Sequence, residues 1–386
     1  MKANIVLSSL WQESQWGQGR TFQMTAEHLS RQDDVSHVAC VFPPIRSANK
    51  WSSPFRLRKI NPKLTLITPT IQPFPNDVAP FRLWNYLNKH VQHAIRIYLW
   101  LKGYRRNNTI FWVFPPSGYL DTLLSVIPYR NCIGQIVDNF TAHEGDHKAA
   151  SRQQAVDQYD WLGNHATHVV VGSNAMKDYF ADYSPPISLM ENGVDSIFIQ
   201  PPTQLPCKRD GTRPRIGYIG FISPRTDTDL LEFIAINRPQ WDLVIAGPPH
   251  DIDTNKLSSL RQHNNIQYFD YVAYNELPRL IASLDVCVIP HKDTTLSQSM
   301  SPLKIFQYAG SGRPIVTSRI AGLEIFHKYI YTAENNDAFI SKIEYALDHH
   351  KISNAEQLIA TAQSETWDKR IGAMFSDIKS SAGWIY

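Results

Sequence analysis

Ser301-Pro302-Leu303-Lys304-Ile305-Phe306-Gln307-Tyr308-Ala309-Gly310-Ser311-Gly312-Arg313-Pro314-Ile315-Val316-Thr317-Ser318 reads as a helix with a marked entrance and exit, followed at once by a strand. Ser301 offers an N-cap hydroxyl, and Pro302 suits the first helical position, where its missing N–H costs nothing. Gly310 and Gly312 end the helix, and Pro314 opens the apolar strand behind it. A helix entered from a loop aims free backbone N–H groups and a positive dipole end outward, which makes an anion site. Lys304, in the first turn, adds a full charge where a diphosphate would lie. Gln307, one turn further on the same face, can reach a ribose hydroxyl.

Strands and helices alternate outward from this segment. Arg215 to Ile219, Asp242 to Ala246, Ile266 to Phe269 and Asp285 to Ile289 read as strands, with helices beginning near Thr228, Asn255 and Glu276 between them. Upstream, Ile5 to Leu10, Val38 to Phe42, Leu64 to Thr68, Ile110 to Phe114, Cys132 to Val137 and Val169 to Gly172 form an earlier series, with helices over Thr21 to Ser30 and Gln153 to Gly163. Pro201 to Pro214 is a proline-punctuated linker between the two. Such alternation predicts parallel sheets covered by helices, in two α/β domains.

Composition narrows the class. Hydrophobic residues make up 43% and charged residues 19% of the 386, as in a folded globular chain. With 38 basic against 35 acidic residues, the balance of +3 does not announce a nucleic-acid binder. Cys40, Cys132, Cys207 and Cys287 lie far apart without a CxxC pair, and are expected to be reduced residues of a cytoplasmic protein. The N-terminal apolar run is short and lacks a cleavage site, so it is expected to be a first strand. No stretch approaches the roughly 18 apolar residues of a membrane span. Between Arg46 and Lys59, five cations are interleaved with Trp51 and Phe55, and Phe81, Trp84 and Tyr86 follow. Two readings stand for 46–59: peripheral contact with an anionic membrane face, or an irregular loop packed by its own aromatics.

The opening segment resembles the donor-binding helix of GT-B glycosyltransferases, family 4 in particular. Other matches run in the family's order. Glu191-Asn192-Gly193-Val194-Asp195 with Phe198 is similar to its domain crossover, and Gly217-Tyr218-Ile219-Gly220 with Arg225 to the opening strand and basic loop of its donor domain. Asn265-Ile266 through Tyr271-Val272, Glu276-Leu277-Pro278 and Asp285-Val286 to Pro290 are similar to its middle strands. Thr366-Trp367-Asp368 with Arg370 resembles its C-terminal helix, which returns to the first domain. The resemblance covers roughly 160–375 and is only architectural before that. It implies a GT-B fold: an acceptor-binding Rossmann-like domain over 1–198, a nucleotide-sugar domain over 199–365, a cleft between them, and a returning helix over 366–386. Where family 4 carries two glutamates eight positions apart, this chain has Ser299 and Gln307. Lys304 with Gln307 instead resembles the inverting glucuronosyltransferase of xanthan assembly, which leaves the stereochemical outcome open.

The implied chemistry is departure of a nucleoside diphosphate, whose developing charge needs preorganised positive partners. Arg225, Lys304 and the helix start at Ser301, Pro302 and Leu303 would supply them without metal or cofactor, and Tyr271 stands where relatives surround the base. Asp227-Thr228-Asp229 mimics a metal-binding D-x-D, but it sits where a helix begins and is read as a cap. An inverting enzyme needs a base, and Asp138 at the C-terminal end of its strand is the candidate; the alternative is a residue that bonds nearby N–H groups. Behind it, His143, Glu144, Asp146 and His147 crowd one loop, expected to be solvated rather than metal-bearing. Gly17 and Gly19 do not form GxGxxG. The resemblance puts their loop across the cleft near donor or acceptor; a flexible turn is the alternative. The expected function is transfer of a hexose or uronic acid from a UDP-sugar to a lipid-linked or polysaccharide acceptor, on the inner face of the plasma membrane. The alternatives are a nucleotide-sugar epimerase and an inactive scaffold.

Overall fold

The computed structural model describes residues 2–9, 11–46, 53–71, 89–143, 149–199, 213–349 and 351–381. The chain divides into two compact units, Met1–Met190 with Ile371–Tyr386, and Glu191–Arg370. The linker over 201–212, Cys207 within it, and Trp51, Phe81, Trp84, Tyr86, Glu144, Asp146 and His147 lie outside the described residues.

In the first unit the described strands are β1 (Ala3–Ser8), β2 (Val35–Val41), β3 (Ile45–Arg46), β4 (Phe55–Asn61), β5 (Leu64–Ile71), β6 (Thr109–Val113), β7 (Asn131–Ile136), β8 (His168–Val171) and β9 (Ile187–Leu189). They form one sheet in the order β3-β5-β2-β1-β6-β7-β8-β9, with β4 paired to β5. Helices α1 (Thr21–Arg31), α2 (Lys89–Leu101), α3 (Leu120–Val126), α4 (Ala149–His165) and α5 (Asn174–Tyr179) connect them. Every residue of β1 is buried, as befits a central parallel strand covered on both faces. The loop leaving β1 is held by rings: Phe22 of α1 meets Phe114 at 5.2 Å and Phe42 at 5.6 Å, while Trp11 and Trp16 each pack on Phe22 at 6.1 Å.

Within 46–59, one reading of which was an irregular loop, residues 55–59 belong to a strand, β4. They pair antiparallel with β5, Leu57 opposite Ile67 and Lys59 opposite Thr65. The hairpin turns at Pro62-Lys63, where the Asn61 side chain accepts the Lys63 N–H at 2.8 Å. Arg56, Arg58 and Lys59 are exposed on this strand, and charge of that kind deters pairing with other chains.

The second unit has six described strands: β10 (Arg215–Ile219), β11 (Asp242–Ala246), β12 (Ile266–Phe269), β13 (Val286–Ile289), β14 (Ile315–Ser318) and β15 (Tyr331–Ala333). All are parallel, in the order β12-β11-β10-β13-β14-β15. That is the Rossmann order, with its reversal point between β10 and β13, where open α/β sheets bind ligands beyond their C-terminal edge. Helices α6 (Thr228–Asn237), α7 (Thr254–Gln262), α8 (Leu277–Ala282), α9 (Leu303–Gly310), α10 (Asn336–His349) and α11 (Ile352–Ser364) complete it. One face packs Ile305, Phe306 and Ala309 of α9 and Leu358 of α11 on Ile219, Val244, Cys287 and Ile315. The other packs Leu230, Leu231 and Ile234 of α6 and Ile340 and Ile343 of α10 on Ile216, Leu243, Val288 and Val316.

Helix α12 (Trp367–Ser381) starts in the second unit, and from Ile371 its residues count with the first. There Ser381 Oγ lies 2.9 Å from His168 Nδ1, whose Nε2 lies 2.6 Å from Ser188 Oγ; that hydroxyl also donates to Asp377. Lys379 pairs with Asp34 at 2.6 Å. Cys40, Cys132 and Cys287 are buried and free. Among the described residues no helix is long and apolar enough to cross a membrane.

Candidate functional site

Strand β10 ends at Gly220, whose φ of 144° suits glycine and few other residues. A Cβ there would lie 2.2 Å from Lys304 Cε, so the missing side chain is what lets Lys304 cross the strand end. Gly247, at the end of β11 with φ 148°, approaches in turn: its Cβ would lie 2.1 Å from the Gly220 carbonyl oxygen. The Lys304 ammonium rests 5.0 Å above the Tyr218 ring, a cation–π contact. Helix α9 is fixed to this strand by Tyr308, whose hydroxyl accepts the Ile219 N–H at 2.8 Å.

Arg225 is brought to the same edge by a zipper onto the end of β13. Its carbonyl accepts the Lys292 N–H at 2.8 Å, Thr226 bridges His291, and the Asp227 N–H donates to Pro290 O at 2.7 Å. Its guanidinium lies 3.4 Å from the Met300 sulfur. Two cations from segments 79 positions apart in sequence therefore gather at the reversal point of the sheet. His291 is buried between them. Burial, then Lys304, then Arg225, hold its pKa well below the ordinary histidine value.

Ser301 does not cap the helix as its sequence suggested. Helix α9 begins at Leu303 with Pro302 at the cap position and no side-chain cap. The Ser301 hydroxyl instead accepts the Asn192 N–H at 3.2 Å, and the Asn192 amide donates to the Ser301 carbonyl at 2.6 Å. Gln307 is buried on α9. Tyr271 follows β12 and is 70% exposed. The motifs over 191–195 and 365–370 meet: Val194 N–H donates to Glu365 O at 2.9 Å, and Trp367 N–H to Val194 O at 3.1 Å. Arg370 pairs with Glu365 at 2.9 Å and with Glu191 at 3.5 Å.

The D-x-D pair is engaged in structure. Asp227 caps α6 by accepting the Leu230 N–H at 3.0 Å, and Asp229 pairs with Lys256 at 2.7 Å. Among the described residues no group of three or more metal-binding side chains forms.

In the first unit Asp138 follows β7. Its carbonyl oxygen accepts the Tyr159 hydroxyl at 2.9 Å and the Phe140 N–H at 3.1 Å. Arg20 was not anticipated as its neighbour. Burial lowers the pKa of that guanidinium, and the charge of Asp138 opposes the shift. Arg20 also lies 5.7 Å over the Trp11 ring and 3.4 Å from Gln18 Oε1. The glycine loop is tied rather than loose, since Gln23 Oε1 accepts the Gly17 N–H at 2.7 Å and the Gly19 N–H at 3.3 Å. Those two amides are occupied and do not point free at a ligand. His143 packs its ring 4.8 Å from Phe140, and its carbonyl accepts from Arg152 at 2.8 Å.

The profile of the family described as "Glycosyl transferases group 1" matches residues 213–349, which hold β10 to β15 and the Arg225–Lys304 pair. Over that segment the chain is similar to the group 1 glycosyl transferases. A putative teichuronic acid biosynthesis glycosyltransferase, TuaH of Bacillus subtilis, is 23% identical over 192 residues, 47% of this chain and 48% of that protein. Among solved structures, sucrose-phosphate synthase from Thermosynechococcus elongatus superposes with a TM-score of 0.73 at 15% identity, covering 98% of this chain and 99% of that one. A UDP-forming α,α-trehalose-phosphate synthase from Burkholderia vietnamiensis gives 0.68 at 12%, over 98% and 99%. These likenesses show the fold, which is GT-B. The residues around the candidate site that sequence reading missed are His291, Tyr218 as the seat of Lys304, Gly247 and Arg20. A lone histidine after a strand, or a glycine before two prolines, carries no local signature of them.

The Asp227 and Asp229 roles separate by measurement. Asp227→Ala should cost about 1 kcal/mol of stability as a lost cap, whereas Asp229→Ala should leave thermal unfolding unchanged as a loosened surface pair. A melting temperature lowered by EDTA in the wild type, but not in either variant, would restore the metal reading.

Proposed function

We propose that this chain is a metal-independent glycosyltransferase that moves a hexose or uronic acid from a UDP-sugar to a lipid-linked or polysaccharide acceptor. The observation that carries the reading is the convergence of Arg225 and Lys304 at the β10/β13 edge, beside the start of α9. When the glycosidic bond breaks, negative charge grows on the departing diphosphate, and fixed cations stabilise that state more than the bound donor. With Asp227 and Asp229 otherwise engaged, the side chains supply this charge themselves. Gln307 and Tyr271 are the proposed contacts to ribose and base. UDP is favoured as the nucleotide by the name of the UDP-forming structural neighbour, and a polysaccharide acceptor by the name of the teichuronic acid relative. The pairing of Lys304 with Gln307 supports an inverting outcome, with Asp138 deprotonating the acceptor hydroxyl.

A thermal-shift series with UDP, GDP, ADP and dTDP in EDTA tests the donor site, because a ligand of the native state raises the melting temperature by mass action. UDP should stand out, and Lys304→Ala should weaken it by about 10–100-fold, the value of one hydrogen bond to a charged group. No shift with any nucleotide would defeat the donor reading and leave a scaffold. For Asp138, substitution by asparagine should lower turnover by about 10²–10⁴-fold while UDP affinity holds. Undiminished turnover would remove it as the base.

We propose further that the acceptor is met at a membrane surface. Ile97, Trp100 and Leu101 share one face of α2 and are 57%, 58% and 69% exposed. Arg105 lies 4.7 Å over Trp100 and Lys102 5.9 Å over Tyr98, while β4 presents Arg56, Arg58 and Lys59. Apolar side chains beside cations suit an anionic bilayer. The protein should sediment with phosphatidylglycerol vesicles and not with phosphatidylcholine alone, and the double substitution Trp100→Ser, Leu101→Ser should abolish this. Equal sedimentation of variant and wild type would exclude that face.

A further inference from the structure

His291 is the one residue at the β10/β13 edge whose chemistry the donor-binding reading leaves unused. It is 3% exposed, and its Nδ1 is buried without a hydrogen-bond partner. A buried polar atom left unpaired costs free energy and calls for a reason. Every element packed around the ring contributes to its surroundings. From β10, Tyr218 meets it edge-on at 6.4 Å. From the loop before α6 come Arg225 and, through a backbone bridge, Thr226. From α9 comes Lys304. Asp227 reaches the neighbouring Pro290 carbonyl with its N–H, but its carboxylate is spent on the α6 cap. Lys292 follows in the chain. The ring therefore faces two cations, Lys304 and Arg225.

We propose that His291 is a proton-uptake site coupled to the diphosphate: it is neutral in the empty site and takes a proton from solvent when a nucleoside diphosphate settles on Arg225 and Lys304. The proposal rests on the donor reading and deepens it. The sign follows from charge. In the empty site burial and both cations oppose an imidazolium, and the pKa lies well below the ordinary value. A bound diphosphate adds negative charge beside the ring, which favours its protonated form. A group whose pKa rises on binding makes the complex tighter as pH falls through the bound-state pKa, and that gain is complete below the free-state pKa. A diphosphate freed of its sugar carries more charge than the esterified donor, so the imidazolium favours the departed state over the bound donor, in the direction that helps bond cleavage.

The test is calorimetric titration of UDP, with EDTA, in buffers of different ionisation enthalpy between about pH 6.5 and 8, a range set by the histidine pKa. The enthalpy difference counts protons exchanged. Wild type should take up a fraction of a proton per UDP, and more as pH falls. His291→Leu and His291→Gln should bind UDP with that uptake lost, and His250→Gln, which alters the exposed histidine packed on Phe221, should keep it. Proton exchange by the UDP terminal phosphate, whose pKa is about 6, has the opposite sign, because binding favours its ionised form. His291→Leu removes a buried unpaired polar atom, so its melting temperature should equal or exceed that of wild type. Should both variants fail to fold, a wild-type count of zero still overturns the proposal, and His291→Asn replaces them in the comparison. UDP binding with no uptake, or with equal uptake in His291→Leu, overturns the proposal and leaves the donor reading intact; absence of UDP binding in wild type defeats the donor reading itself.

Discussion

Everything at the β10/β13 edge depends on an approach that only glycine permits. Lys304 crosses the end of β10 because Gly220 has no Cβ to occupy the space, and Gly220 can hold its φ of 144° for the same reason. Gly247 repeats the device one strand over, bringing β11 onto the Gly220 carbonyl. The two glycines leave a low, side-chain-free ridge. A cation laid across such a ridge is presented to a ligand along the backbone, while its methylenes rest on the strand end. Tyr218 then fixes the ammonium from below, and Tyr308 fixes the helix that carries it. A side chain at Gly220 would displace the charge without touching the charged residue.

The sequence made the second unit legible almost strand for strand. Arg215 to Ile219 and Asp242 to Ala246 are bounded by sequence as they are in the structure, because buried parallel strands are mostly apolar runs, and the edge strand Ile266 to Phe269, half-buried and exposed in alternation, has the same bounds in both. Strand β4 was harder. Its alternating cations look like a solvated loop until β5 is known to pair with it, and pairing is a property of two segments. The Ser301 cap failed for a related reason. Local pattern favours a hydroxyl bonding its own helix, but Asn192, 109 positions away, claims that hydroxyl. Lys304 and Arg225 could be named in advance as the residues of a motif. That a buried histidine stands between them could not, since no periodicity announces it.

The crossover motif shows how a segment far from the site governs it. Asn192 anchors Ser301, the residue that delivers the chain into α9, while two residues on Val194 is stitched to Glu365 and Trp367. Gly193 has room for this only without a side chain, since a Cβ would lie 3.0 Å from the Trp367 N–H nitrogen. Arg370 spans both ends of the stitch through Glu191 and Glu365, and its guanidinium covers Phe306 of α9 at 5.2 Å. The position of α9 is thus set by three stretches of chain that meet only on folding.

Elsewhere in the second unit local choices agree with the fold. Asp227 caps α6, Asp253 caps α7, and exposed charges find partners such as Lys256 and Arg261. At the β10/β13 edge local choices conflict: two cations converge, and a polar ring is buried beside them with a nitrogen unpaired. A sequence selected for stability alone would place an apolar side chain at position 291 and a carboxylate beside Lys304. Position 291 instead keeps a buried polar ring, so the electrostatic conflict is retained, and retention has a physical use if an anion resolves it. The conflict is largest when the site is empty and smallest when the ligand carries most negative charge. On the proposed donor reading, such a site would favour the diphosphate more strongly as it departs than as it arrives, which is the asymmetry that cleavage of a glycosidic bond requires.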